Sequence, residues 1–92
     1  MFSTRLKNFI KNIKFNTYVL TIKLTSDCDP NEIKPIVEKF TGIDKAYITD
    51  PNQILAFADW REVTLNEKIR KLYLKLPDFV CIKVNLLDDN TL

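Results

Sequence analysis

The chain has 92 residues, of which 46% are hydrophobic and 28% charged, and its net charge is +2. These values are typical of one small globular domain and exclude a disordered chain. The chain contains no histidine and only one glycine, which excludes a Ser-His-Asp triad and the glycine-rich loops that bind phosphates.

The N-terminal segment is basic and amphipathic. Residues 1–26 contain five lysines and arginines and no acid, so their charge is +5, against −3 for residues 27–92. Apolar residues recur at spacings of three and four positions, which predicts a helix over Met1–Phe15 that ends at Asn16. We therefore divide the chain into a basic helix over residues 1–16 and a domain over residues 17–92.

The chain shows no pattern of a targeting or membrane segment. Lysines interrupt the apolar residues of the N-terminus, and no small-residue cleavage site follows them. No apolar run reaches the roughly 20 residues that a membrane-spanning helix needs. We therefore expect a cytoplasmic protein without a membrane span.

The stretch Thr17–Leu24 alternates apolar and polar residues, which is typical of a strand with one buried face. Its apolar side consists of Tyr18, Leu20, Ile22 and Leu24. It contains neither glycine nor proline, so we predict an interior strand of a sheet.

A helix is predicted after Asp29. Asp29 is a favourable cap, Pro30 suits the first turn, and Glu32 lies three residues after the cap. Pro35 is expected to kink this helix or to move its start to a later residue. Gly42, the only glycine, is expected to adopt a left-handed conformation after the helix.

The second half predicts a hairpin, a helix and a last strand. Alternating residues give strands over Asp44–Thr49 and Gln53–Trp60, joined by a turn. Thr64 and Glu67 have the spacing of a capping box, which predicts a helix behind them. The last strand is Phe79–Leu86. The side chains that these patterns place inward are Ala46, Ile48, Ile54, Ala56, Ala58, Trp60, Val80, Ile82, Val84 and Leu86.

After the first helix, the predicted order of elements is β-α-β-β-α-β. Two right-handed crossovers around one hairpin predict an α+β fold, the ferredoxin-like βαββαβ sandwich. Its four-stranded antiparallel sheet has the strand order 4-1-3-2. Both capped helices cover one face of this sheet and leave the other face open.

The open face is the predicted binding surface, because aromatic rings with interleaved lysines on a sheet can stack bases and hold phosphates. The residues expected to bind nucleic acid are Lys7, Lys11, Lys14 and Lys23 for phosphate and Tyr47 and Phe57 for stacking. The competing interpretation, which the sequence favours, is that the N-terminal helix or a dimer partner covers this face.

Four aspartates lie at one predicted edge of the sheet: Asp27, Asp29, Asp50 and Asp78. Carboxylates in such a cluster can hold Mg²⁺ through water. The favoured interpretation is that each has a local role, such as capping a helix or starting a turn. The two cysteines lack the spacing of a zinc site, so we expect neither a metal nor a cofactor.

Both ends of the chain resemble the GhoS antitoxins. Lys14–Val19, which reads Lys-Phe-Asn-Thr-Tyr-Val, is similar to their opening, and Leu76–Asp78, followed by Asn85–Leu86 and Asp88–Asp89, is similar to the way they close. These two end regions span about a quarter of the chain. The resemblance implies a ferredoxin-like fold, related to the nuclease subunit of CRISPR adaptation, and cleavage of toxin mRNA. The family has an acid where this chain has Lys23, so no catalytic residue is assigned.

The sequence therefore predicts a small RNA-interacting module, for which the resemblance implies GhoS-like antitoxin activity. The alternative is a non-enzymatic protein-interaction module, such as a phage- or plasmid-encoded inhibitor that blocks a host protein complex. The expected partner is RNA or an acidic protein surface. A homodimer that buries the open face is the third interpretation.

Overall fold

The computed structural model describes residues 15–87. In chain order the elements are β1 (Phe15–Lys23), α1 (Pro30–Glu38), β2 (Ile43–Asp50), β3 (Gln53–Arg61), a 3-10 turn (Glu62–Thr64), α2 (Leu65–Lys75) and β4 (Cys81–Leu86). The predicted N-terminal helix lies outside the described residues, except for its last residue. That residue, Phe15, and the expected helix exit, Asn16, both belong to β1, so this part of the prediction is wrong.

The four strands form one antiparallel sheet with the order β2-β3-β1-β4. Read from the β4 edge, this order is 4-1-3-2. Strands β1 and β3 are interior, whereas β2 and β4 are the edges. The predicted α+β class, the four-stranded antiparallel sheet and the interior position of β1 are confirmed.

The core lies on one side of this sheet, between the strands and the two helices. Leu20 and Ile22 of β1 are fully buried, and so are Ile54 of β3, Val37 of α1 and Leu72 of α2. These residues belong to one hydrophobic cluster, which no buried polar side chain interrupts among residues 15–87. Because β1 and β3 alternate regularly, all their buried side chains face the helices.

Helix α1 begins as predicted. The Asp29 side chain accepts a hydrogen bond of 2.9 Å from the backbone N–H of Asn31, which satisfies a free donor of the first turn. The helix begins at Pro30, so the expectation of a later start is wrong, and Pro35 lies inside it. Because Pro35 has no N–H, the helix lacks one internal hydrogen bond at that position.

Gly42 connects α1 to the sheet in the predicted left-handed conformation, with a φ of 84°. A Cβ atom at this position would lie 2.5 Å from Cδ1 of Trp60. The indole ring is held there because its Nε1 donates a 2.9 Å hydrogen bond to the carbonyl of Thr41. The same ring meets Phe40 edge to face, with 6.0 Å between the ring centroids. Glycine is therefore required by both backbone conformation and space.

Helix α2 does not begin with the predicted capping box. Thr64 is the N-cap, but its backbone is helical and its side chain makes no capping hydrogen bond. The hydroxyl instead donates a 2.9 Å hydrogen bond to the carbonyl of Arg61. The preceding 3-10 turn places that carbonyl near the hydroxyl. The Thr64 hydroxyl therefore forms its hydrogen bond within the turn and does not cap the helix.

The predicted start of β4 is wrong, and so is the predicted burial of two edge-strand side chains. Phe79 was expected to open β4, but its φ of 74° is left-handed and its ring is 86% exposed, so the strand begins at Cys81. Ile48 lies opposite the buried Ile54 but is 39% exposed. The cause is its position on an edge strand beside an irregularity between Ile48 and Asp50. Leu86, at the end of the other edge strand, is also exposed at 48%.

The side chain of Tyr73 connects α2 to the edge strand β4 through a hydrogen bond. The hydroxyl of Tyr73 accepts a 2.8 Å hydrogen bond from the backbone N–H of Ile82. An edge strand presents unpaired backbone groups to other chains, and this hydroxyl satisfies one of them. This role of Tyr73 was not predicted from the sequence.

Gly42→Ala is expected to lower the free energy of unfolding by about 2–4 kcal/mol, because it adds left-handed strain and a clash with Trp60. Urea denaturation measures this change. Thr41→Ala is the control, because the Thr41 carbonyl still accepts the indole hydrogen bond, and it should change stability by less than about 0.5 kcal/mol. Equal effects of the two substitutions would contradict the required glycine.

Phe79→Gly is expected to be more stable than Phe79→Ala by about 1 kcal/mol, because glycine relieves the left-handed strain that alanine retains. The exposed ring contributes little burial in either case. Thermal unfolding of the two variants measures the difference. If the alanine variant were equally stable, Phe79 would not be strained.

Candidate nucleic-acid interface

The helices leave the second face of the sheet uncovered among the described residues, and the strand register orders its side chains into rows. Residues directly opposite each other on neighbouring strands share a face. One row runs Lys45, Phe57, Val19 and Asn85 from β2 to β4, and the next runs Tyr47, Leu55, Thr21 and Lys83. Each row spans about 14 Å across four strands.

The two predicted stacking residues lie together. Tyr47 on β2 and Phe57 on β3 meet edge to face, with ring centroids 6.3 Å apart. Tyr47 is 46% exposed, whereas Phe57 is only partly exposed between its neighbours. Of these two rings, an incoming planar base can therefore reach that of Tyr47, which the other supports from the side.

Three lysines of this face lie on different strands. Lys45 and Lys83 stand at opposite ends of the two central rows, and both are exposed. Lys23, the predicted phosphate contact, is exposed at the end of β1, opposite Gln53 and Cys81. These three lysines, on three different strands, give the face a spread of positive charge. Lys7, Lys11 and Lys14 lie outside the described residues.

One acidic pair lies at the other end of this face. Asp59 on β3 is opposite Thr17, whose hydroxyl donates a 2.6 Å hydrogen bond to its Oδ1. Asp44, the extra residue of a bulge between Ile43 and Lys45, lies beside this carboxyl and can donate a hydrogen bond to it when protonated. That hydrogen bond, and then the negative charge of Asp59, raises the pKa of Asp44 above its ordinary value of 3.8.

The acidic pair was not predicted, because the bulge that brings Asp44 to Asp59 has no signature in the sequence. Strict alternation over Asp44–Thr49 gave no reason to place two carboxyl groups together. Lys45 and Lys83 were not among the predicted ligand contacts. Their opposite positions depend on the register of β2 and β4, which alternation alone does not define.

The predicted cluster of aspartates does not form a metal site in the described part of the chain. No three histidine, cysteine or acidic side chains among residues 15–87 are placed to hold a metal ion. Asp29 caps α1, and Asp50 accepts a hydrogen bond of 3.5 Å from the backbone N–H of Asn52 in the hairpin turn. These two aspartates have the local roles that were favoured.

Two further observations bear on the class of protein. No helix within residues 15–87 is long and apolar enough to cross a membrane. Comparisons of the chain with protein-family models, curated proteins and solved structures find no match.

Asp44→Asn is expected to raise the melting temperature at pH 7, because the amide keeps a hydrogen-bond donor toward Asp59 and removes the repulsion between two carboxylates. Because the pKa of Asp44 is raised in the folded protein, protonation of Asp44 stabilises the fold fully below pH 3.8. This stabilisation is lost as the pH rises through the raised pKa. The advantage of the variant should therefore shrink toward pH 4, as measured by thermal unfolding across this range.

The control for this prediction is Asp27→Asn, the same substitution at an exposed loop residue for which the described part of the chain shows no hydrogen bond. It should change the melting temperature less than Asp44→Asn at pH 7. A less stable Asp44→Asn variant at that pH would contradict the prediction, because it would show that repulsion between the two carboxylates does not destabilise the fold.

Proposed function

We propose that this chain is a ferredoxin-like module that binds single-stranded RNA on the open face of its sheet. The observation that carries the proposal is the half-exposed ring of Tyr47, braced by Phe57, with Lys45 and Lys83 at opposite ends of the rows through these rings. Stacking on an aromatic ring and contacts from lysines are the two interactions by which sheets bind unpaired bases and their phosphates.

Single-stranded nucleic acid fits this face better than a duplex. The rings belong to the face of a sheet, and neither helix projects from this side to enter a groove. An unpaired base can reach Tyr47 without breaking a base pair. RNA rather than DNA is proposed because of the GhoS resemblance at the two ends of the chain.

The proposal extends to the N-terminal arm and to cleavage. Lys7, Lys11 and Lys14 remain proposed phosphate contacts, supported by the +5 charge of residues 1–26. GhoS-like antitoxin activity on toxin mRNA is the proposed biological role, supported by the same end-region resemblance. We assign no catalytic residue.

A non-enzymatic inhibitor that blocks a host protein complex is the alternative proposal. The exposed β2 edge favours it, because Tyr47 and Ile48 there are both large and exposed. The two functions differ in their response to salt, since phosphate contacts weaken steeply as salt rises.

Changing Lys23, Lys45 and Lys83 together to Gln is expected to weaken binding of a labelled oligouridine at low salt by about tenfold or more, because three phosphate contacts are lost. The plot of log affinity against log salt should become shallower by about 2. Tyr47→Ala alone should cost about tenfold through lost stacking. Fluorescence anisotropy measures each affinity.

The matched control changes Lys39, Lys68 and Lys75 to Gln, which removes the same charge from the helix side. It should retain most of the affinity for oligouridine. Equal losses in the two triple variants, or no retention of RNA by the unaltered chain at low salt, would refute the sheet-face site. Gel analysis of the RNA, with and without Mg²⁺, tests cleavage, and intact RNA in both samples would remove the antitoxin nuclease from the proposal.

A further inference from the structure

A second charged surface lies on the opposite side of the molecule from the proposed RNA face. A groove of about 600 Å³ runs between the residues that follow α1 and the exposed side of α2. Its lining, which we call the lysine groove, is Lys39, Phe40, Thr41, Lys68, Lys71, Leu74 and Lys75. Four of these seven residues are lysines, and none is acidic.

The lysines of the groove are arranged along one helix face. Lys68, Lys71 and Lys75 are spaced by three and four residues, which places them on the same side of α2. Lys39 comes from the other wall, directly after α1. Helix dipoles favour Lys75 in the last turn of α2 and Lys39 at the end of α1. The like charges along α2 still repel one another slightly.

Only one of these lysines is neutralised by an ion pair among the described residues. Lys71 lies 2.9 Å from Glu67, and its ammonium lowers the pKa of that carboxyl. For Lys39, Lys68 and Lys75, the described part of the chain shows no salt bridge. The groove therefore presents positive charge that an acidic ligand can neutralise.

Apolar side chains accompany these charges. Leu74 lines the groove and is 83% exposed. A neighbouring depression of about 330 Å³, which shares Lys39, Phe40 and Lys75, adds Ile36, itself 36% exposed. The surface thus combines exposed aliphatic side chains with lysines on both walls of the groove. A ligand that carried charged groups alone would leave these aliphatic side chains in contact with water.

The groove lacks what a nucleic acid would need for base stacking. Among the described residues that line it, the only aromatic one is Phe40, which is 8% exposed and lies edge to face against Trp60. A base therefore has no ring to stack on, unlike at Tyr47 on the open face. Aliphatic groups and lysines together match a peptide that carries both carboxylates and large apolar side chains.

We propose that the lysine groove binds an acidic segment of another protein, with a large apolar side chain of that segment against Leu74 and its carboxylates against Lys39, Lys68 and Lys75. This inference goes beyond RNA binding and does not depend on it, because the two surfaces use different residues. A module with both surfaces could hold an RNA and an acidic protein at the same time.

The probe for this proposal is a labelled synthetic helical peptide with glutamates and leucines at helical spacing. The triple variant with Gln at Lys39, Lys68 and Lys75 should bind it about tenfold more weakly than the unaltered chain at low salt. Glutamine retains helix propensity close to that of lysine, so α2 should remain folded. Leu74→Ser, at an exposed position, should weaken binding several-fold.

The triple variant with Gln at Lys23, Lys45 and Lys83 is the matched control, because it has the same net charge and should bind the peptide within about twofold of the unaltered chain. A second peptide, with serine in place of leucine, should bind more weakly. NMR titration of the full chain should shift the backbone signals of Lys39–Thr41 and Lys68–Lys75 first.

Three results would overturn the proposal. Equal weakening by both triple variants would indicate general electrostatic attraction rather than a site. Loss of oligouridine binding in the groove variant, without any binding of the acidic peptide, would identify a nucleic-acid site. Self-association of the chain that the groove variant abolishes would assign the groove to a second copy. Loss of RNA binding in the sheet-face variant alone leaves this proposal intact.

Discussion

Strand β1 is hydrogen-bonded to β3 along one side and to β4 along the other, so it joins the hairpin to the C-terminal strand. The pairing with β3 continues from Phe15 to Lys23 without a register shift. Because side chains alternate along a strand, this uninterrupted register separates one fully apolar face from one mixed face. Burial of Leu20 and Ile22 under the helices therefore determines which residues of β1 and β3 remain on the open side.

The two sides of the sheet have different chemistry as a result. The helix side contains the core, and its outer surface carries aliphatic side chains between lysines. Among the described residues, the open side carries the two stacking rings, three lysines and the acidic pair of Asp44 and Asp59. Tyr47 offers an accessible ring on the open side, whereas the described lining of the lysine groove offers none, so we place RNA on the open side and an acidic protein segment on the helix side.

Much of the fold follows from sequence patterns that act over short distances. Alternation in β1 and β3, and the cap at Asp29, are local features, and each appears in the structure as expected. The errors occur where a local pattern competes with another interaction. The hydroxyl of Thr64 serves the 3-10 turn, and Phe79 adopts a left-handed conformation that its side chain disfavours.

The candidate sites were harder to predict because they depend on residues distant in the chain. Tyr47 and Phe57 were identified, since the two strands of a hairpin pair predictably. The contact between Asp44 and Asp59 required a bulge, and the lysine groove joins Lys39 to residues about thirty positions later. Neither arrangement has a periodic signal, so only the three-dimensional packing reveals it.

Trp60 is the only tryptophan of the chain, and its ring is 2% exposed. Its indole N–H donates to the Thr41 carbonyl and its ring meets Phe40, so it stands where the hairpin, the connection after α1 and the core come together. Unfolding transfers this single indole from an apolar site to water. The protein therefore contains an intrinsic fluorophore whose emission reports on the integrity of this junction without a label.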